Sequence, residues 1–454
     1  MPTRIKAAAA AESLYNRRMD FDVAIRLLTG GEEGIREWNR RVSAGDRLPS
    51  LRGVNLGDSD LADTGLEHAQ LAGANLSGAD LADARLSGAD LRHTNLTEAD
   101  LSDAEMICTD LTEADLRLAD LSGADLGGAS MPGADLRDAV LEGADLSNAN
   151  LAGADLENAD LEAACLHEAS LVTANLRNAC LREVDLSRAR LTGANLSFAD
   201  LTQADLSDAD LRGADVSAAL LARADLSRAD LTGADLSRAM LLETNLDHAR
   251  LDGCAIYGIT AWQANLEGTA QANLRISHPE APTVCADGLE FGQLLYHLLR
   301  DSLGPGKIRA SVPDAGLILG HFPSERHSVL TAIREALRSY GRSPISLTYE
   351  TAGLQQDTQT ATALARLCRW MIVDLTDATR LASVVETVVN AVPIPWQPLA
   401  CQTAPAPTLP PARSPSTSML PLHSYASADD LASALTSTLL PAADARAAGG
   451  IDKK

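Results

Sequence analysis

From Leu51 to Leu266 every fifth residue is apolar, 44 positions in one unbroken frame, and all are Leu except Met106, Met131, Val216, Ile256 and Ala261. Two residues before each stands a small residue, usually Ala, as in Ala74-Asn75-Leu76 and Ala79-Asp80-Leu81. The position between is mostly Asp or Asn. A period of five fits neither the helical 3.6 nor the strand period of 2.0. It fits a square coil with one unit per side, in which the Leu and the small residue point inward and the other three point out. Four sides make a coil, so 44 units make 11 coils, stacked at about the 4.8 Å strand spacing. Leu then stacks on Leu and Ala on Ala. Backbone groups left open by one coil pair with the coils on either side, which satisfies the buried amides, and stability becomes a sum over neighbouring coils. The frame decays after Gly253, where Cys254, Ile259 and Ala261 break its columns, and residues 267–281 leave it.

A stacked coil has open ends that need covering. Upstream, residues 20–42 carry a helical spacing of Phe21, Ile25, Leu28, Ile35 and Trp38, split at Gly30-Gly31. This predicts a helical N-terminal cap over residues 1–48, followed by a β-helix over 49–270. From about Ala281 short apolar runs alternate with helical patterns. Expected strands are 315–320, 344–349, 370–375, 395–400 and 419–425; expected helices are 287–303, 324–339, 357–369, 384–392 and one opened by Asp429-Asp430-Leu431 with Leu431, Leu435 and Leu439 on its face. Alternation of this kind predicts a parallel sheet with helices on both faces. The α/β domain spans 281–446, interrupted by a flexible Pro/Ser/Thr-rich loop at 402–418, and 447–454 is a tail. The fold class is thus mainly β, a quadrilateral solenoid with an appended α/β domain.

Composition explains how the solenoid is filled. Apolar content is 46% but aromatic content only 3%, so Leu and Ala fill an interior that aromatics do not. The net charge of −24 divides into +2 for residues 1–50, −25 for 51–270 and −1 for 271–454, with −20 of it on 51–170. Such a surface repels DNA and RNA, whose groove binding needs Lys and Arg to replace counterions, and favours a protein partner with a basic surface. A homodimer is compatible with the pattern. No apolar run approaches the length of a membrane span, no signal peptide is read at 1–18, and the seven scattered cysteines suit reduced thiols in a cytoplasm.

The frame identifies the segment as resembling the pentapeptide-repeat family, whose fold is a right-handed quadrilateral β-helix. The stretch Gly34-Ile35-Arg36-Glu37-Trp38-Asn39 is similar to the helix that precedes the repeats in many members. No loop is inserted between Leu51 and Ala255, whereas some members project loops that matter to partners. The C-terminal segment resembles a domain of the flavodoxin-like class that includes the Toll/interleukin-1 receptor (TIR) and nucleoside deoxyribosyltransferase types. The resemblance rests on Leu317-Ile318-Leu319-Gly320, on Phe322 with Glu325-Arg326, and on Ile372-Val373-Asp374-Leu375-Thr376-Asp377.

Ligands of open α/β sheets sit at the carboxyl ends of strands, which singles out Gly320 as a cofactor-contact candidate and Asp374 and Asp377 as candidate carboxylates. The resemblance implies cleavage of an N-glycosidic bond by a strand-end carboxylate and a helix Glu, a part that Glu386 could fill. The alternative is that Asp374 and Asp377 cap a helix or bond loop amides. His321 and His327 read as surface histidines, and Cys285 and Cys368 as core residues. No phosphate loop, metal set or cofactor is expected. Three functions follow: a scaffold carrying a TIR-like docking domain, first; a nucleotide-processing effector acting on NAD or a nucleoside; and a DNA mimic that binds type II topoisomerase.

Overall fold

The computed structural model describes residues 18–279, 281–300, 315–348, 354–404 and 419–449. The tail after 449, most of the 402–418 loop and the chain before Arg18 lie outside them. The chain divides into two units, Met1–Cys254 with Ile259–Ala270, and Ala255–Gly258 with Gln271–Lys454.

In the first unit, parallel bridges join residues 20 apart, from Asn55↔Asn75 and Asp60↔Asp80 to Arg250↔Ala270, so four five-residue sides close each coil. The central apolar residues and the small residues two before them are buried from Leu61 to Ile259, while Ala261, Ala264 and Leu266 at the end of the repeat are half-buried. Each side ends in a turn in which the amide three residues after Leu returns to the Leu carbonyl, as Ala74 N to Leu71 O at 2.9 Å. The residue two after Leu has positive φ, whether glycine (Gly73) or not (Asp58, His68, Leu118), the sign that a type II turn requires at its third position. The outward Asp and Asn serve this turn. Asp80 Oδ1 accepts the Ala82 amide at 3.1 Å, Asp145 that of Ser147 at 2.8 Å and Asp225 that of Ser227 at 2.8 Å, the Asx geometry that these short acceptors favour.

A few small-column positions are threonine, and three of the buried hydroxyls find a carbonyl on the preceding coil. Thr94 donates to Leu71 O at 3.1 Å, Thr109 to Leu86 O at 3.0 Å and Thr244 to Leu221 O at 2.7 Å. Below the first coil, α1 (Phe21–Leu28) and α2 (Gly31–Ser43) are separated at Gly30. Asp20 caps α1 through the Asp22 amide. Gly34 is required because a Cβ there would strike the Leu27 carbonyl. Fully buried Trp38 donates its indole N–H to Gly65 O at 2.8 Å, and Asn39 both donates to Asp63 O and accepts from Gly65 N. Near the end of the unit, β1 (Met240–Leu242) and β2 (Thr260–Trp262) pair in parallel as regular strands.

The second unit holds a seven-stranded sheet. In chain order its strands are β3 (Leu274–Arg275), β4 (Thr283–Ala286), β5 (Ala315–Gly320), β6 (Ser343–Thr348), β7 (Trp370–Asp374), β8 (Trp396–Cys401) and β9 (His423–Tyr425). Its helices are α3 (Leu289–Arg300), α4 (His327–Ser339), α5 (Leu354–Leu367), α6 (Ala378–Ala391), α7 (Ala428–Ala434) and α8 (Leu440–Gly449). The spatial order is β3-β4-β6-β5-β7-β8-β9, antiparallel across β3-β4-β6 and parallel from β6 to β9. Among the parallel strands this is second-first-third-fourth-fifth, a doubly wound order whose reversal lies between β5 and β7. All six residues of β5 and all five of β7 are buried, as strands covered on both faces must be. Ile318, Ile372 and Leu399 pack with α4, α7 and α8, while α5 and α6 pack on each other.

Several details depart from the sequence reading: α6 opens at Ala378 rather than 384, and β9 covers only the end of the expected 419–425. The sheet takes in β3 and β4, a short antiparallel pair ahead of residue 287 whose apolar run is too brief to announce a strand. The last helix buries Leu431, Leu435 and Leu440 rather than the expected Leu439. A π-helical turn over Leu435–Leu439 precedes Pro441. Proline lacks an N–H and crowds the preceding turn, and the wider turn both accommodates it and rotates the apolar stripe by one residue.

Candidate functional site

Gly320 ends β5 and Asp374 ends β7 on adjacent strands, so the two lie at the point where the sheet order reverses. Gly320 is glycine because a Cβ would run into the ring of Phe322. That ring is buried at 3% exposure and lies under the Arg326 guanidinium, 5.7 Å from its centroid. Arg326 sits in a short 3-10 turn, Ser324–Arg326, that opens α4.

The Asp374 side chain is fully buried, and a carboxylate there needs a cation and donors. It has both. Oδ2 receives Arg326 Nη2 at 2.5 Å and the Tyr425 hydroxyl at 2.7 Å, and Oδ1 receives the Thr376 amide at 2.8 Å. Arg326 also reaches the hydroxyls of Thr376 at 3.1 Å and Tyr425 at 2.6 Å, and the His321 carbonyl at 3.2 Å. Thr376 Oγ1 accepts the Cys401 amide at 3.0 Å, which ties the end of β8 into the same knot. Burial, then the charge of Asp374, pushes the Tyr425 phenol well up. The Cys401 thiol, at the end of β8 and 3.1 Å from the Thr403 hydroxyl, is lowered by its hydrogen bonds to Thr403.

The other candidate residues are placed differently. Asp377 stands at the start of α6 with Oδ2 3.2 Å from His321 Nδ1, so His321 is a partner of this loop rather than an isolated surface histidine. Glu386 lies in the second half of α6, part-buried. The groups gathered on Asp374 are an arginine, a tyrosine and a backbone amide, and no second carboxylate is among them. Arg326 and Tyr425 are 48 and 51 residues from Asp374. The sequence signal that could have found them is the demand of a buried strand-end Asp for a cation and a hydroxyl.

On the solenoid, donor atoms of Asp160, Glu162 and Cys180 lie within 4.8 Å of one another. Arg182 holds one Glu162 oxygen at 2.6 Å, and Asp160 accepts the Glu162 amide at 3.1 Å. Burial raises the Cys180 thiol, so the cluster is already engaged within the repeat. Among the described residues no helix is long and apolar enough to cross a membrane.

The family model for pentapeptide repeats matches residues 50–88, 79–117, 119–158, 140–178, 179–217 and 219–254. Among solved structures, the chain is similar to HetL, a pentapeptide repeat protein involved in heterocyst differentiation regulation from the cyanobacterium Nostoc sp. strain PCC 7120, at 34% identity over 52% of this chain and 94% of that one, with a TM-score of 0.29. It is also similar to a pentapeptide repeat protein from the thylakoid lumen of Arabidopsis thaliana, at 34% identity over 21% of this chain and 66% of that one, TM-score 0.21. QnrB1, a plasmid-mediated fluoroquinolone resistance protein, matches at 23% identity over 42% and 85%, TM-score 0.31. No curated protein matches the chain.

Proposed function

Because the chain belongs to the pentapeptide-repeat family, we propose that it is a scaffold or protein-interaction protein, in which the repeat carries an α/β unit that docks or signals rather than one that turns over a substrate. The observation that carries this reading is Asp374. Its side chain is at 0% exposure, and its oxygens are occupied by Arg326, Tyr425 and the Thr376 amide. A carboxylate in that state has nothing to offer a sugar cation. The knot instead pins the ends of β7, β8 and β9 and the start of α4, giving the strand-end face a fixed shape. The motifs around Gly320, Arg326 and Asp374, together with the doubly wound strand order, support a TIR-like identity for this unit.

The test is paired. The full chain, used as bait, should retain a protein through mild washing, while incubation with NAD should release no nicotinamide. Nicotinamide release that disappears in Asp374→Ala would overturn the scaffold reading in favour of a nucleotide-processing effector using Asp374, Asp377 and Glu386, with Gly320 at the ligand. The DNA-mimic reading draws its support from the −20 carried by residues 51–170. Against it, the Asp column bonds turn amides along the whole repeat. Arginines also pair with acids there, as Arg117 with Asp115 and Arg137 with Asp135. Unchanged gyrase supercoiling at micromolar protein is the expected outcome.

A further inference from the structure

One side of the repeat changes character along its length. Its outward bridging positions read Asp60, Asp80, Asp100, Asp120, Val140, Asp160, Cys180 and Asp200, and then become Leu220, Met240 and Thr260. Two residues on, the outward position reads Ala222, Leu242 and Trp262. Leu220, Met240, Leu242 and Trp262 are 40, 47, 41 and 67% exposed. They lie on consecutive coils of the same side: Leu220 bridges to Met240, and Leu242 pairs with Trp262. Where Asp would have drawn the backbone into an Asx turn, Met240–Leu242 and Thr260–Trp262 form regular parallel strands. The side is therefore a small flat apolar face, and grouped apolar exposure on an otherwise polar surface marks an interaction site.

At the same level one flank carries Asp215 and Asp235, with Arg238 at its corner, and the other carries Asp225, Asp247 and Glu267 beside the neutral Asn245 and Asn265, so acids outnumber bases around the face. Glu243 at the edge of the face is paired with Arg223 at 2.8 Å. This charge pattern selects the occupant. A second copy would bring like-charged acidic flanks together, and anionic lipid headgroups would be repelled. An apolar stripe flanked by Lys or Arg is complementary at both the centre and the rim.

We propose that the face formed by Leu220, Met240, Leu242 and Trp262 is a docking surface for an amphipathic protein segment whose apolar stripe is bordered by basic residues. The proposal rests on the scaffold reading and gives that reading its contact surface. Apolar residues anchor the segment in the middle, and the flanking acids orient it and speed encounter.

The protein contains its own reporter. Trp38, Trp370 and Trp396 are 0, 1 and 2% exposed, so Trp262 dominates the solvent-exposed emission. The full chain is titrated with a Trp-free Leu/Lys amphipathic peptide of about 14 residues, four helical turns, and with a Leu/Glu peptide bearing the same apolar stripe. The Leu/Lys peptide should shift Trp262 emission to the blue and the Leu/Glu peptide should not. Leu242→Asp should weaken binding by about ten-fold, in the range of a central contact residue. Leu118→Asp, at an exposed leucine on another side, should leave it unchanged. Equal binding of both peptides, or equal weakening by Leu118→Asp, overturns the proposal. A blue shift that grows with protein concentration alone assigns the face to a second copy and also overturns it. If the full chain retains a protein partner and Leu242→Asp does not disturb it, the scaffold reading stands and this surface fails.

Discussion

At the residue scale the most consequential contact is that between Arg326 and Asp374. An aspartate with no exposed surface depends on its cation, and removal of one partner from such a pair costs about 3–5 kcal/mol. Arg326→Ala should therefore lower the denaturant midpoint reported by Trp370 and Trp396, which lie in the same unit, and leave that reported by Trp38 unchanged. Equal loss in both signals would count against this. Thiol reactivity gives a second residue-scale prediction. Hydrogen bonding to Thr403 lowers the Cys401 thiol, whereas burial pushes Cys254 up to about 12 and raises Cys368 further. Iodoacetamide near pH 8 should alkylate Cys401 well before Cys254 or Cys368, as peptide mass mapping of partly labelled protein would show.

At the element scale each coil repeats the same few interactions, so substitutions have local and similar costs. Thr94→Val keeps the volume but removes the hydroxyl that donates to Leu71 O, and should cost about 1 kcal/mol in a denaturant titration. Ala139→Leu should cost more. The small column is buried against neighbouring coils, at 1% exposure here, and an overpacked core site loses about 1–3 kcal/mol. The Asp–Arg pairs bring in pH. The side-chain hydrogen bond to Arg212, foremost, holds the Asp210 carboxyl down to about 2, and Arg117 and Arg137 lower Asp115 and Asp135 in the same way. A carboxyl depressed in the folded state stabilises fully above its unfolded pKa, about 3.9, and loses that contribution as pH falls through the folded value. The solenoid should hold its midpoint above about pH 4 and lose stability from there towards pH 2; loss centred near pH 6 would point to histidines instead.

At the scale of the whole molecule, the chain joins two kinds of order. The repeat was legible almost residue by residue: one coil predicts the next, the stacking is local, and the Leu, Ala and Asp columns each follow from which way a position faces. The helical segment around Trp38 was legible from its spacing, while its docking through Gly65 O and Asp63 O was not. Of the second unit, the five parallel strands and most of the helices were readable as elements. Their order was not, because a strand's text does not name its neighbour. The β3–β4 pair escaped because two and four residues carry too little pattern.

The sequence by itself determined the five-residue coil, its aliphatic filling, its acidic columns and the change from Asp200 to Leu220 and Met240 along one side, since all of these are properties of position within a repeat. Tertiary structure alone decided that Arg326 and Tyr425, far from Asp374 in the chain, close over its carboxylate, and that Leu220, Met240, Leu242 and Trp262 stand together in the open. Both outcomes depend on which distant segments the fold brings side by side. A buried charge or an exposed apolar group acquires meaning only from those neighbours.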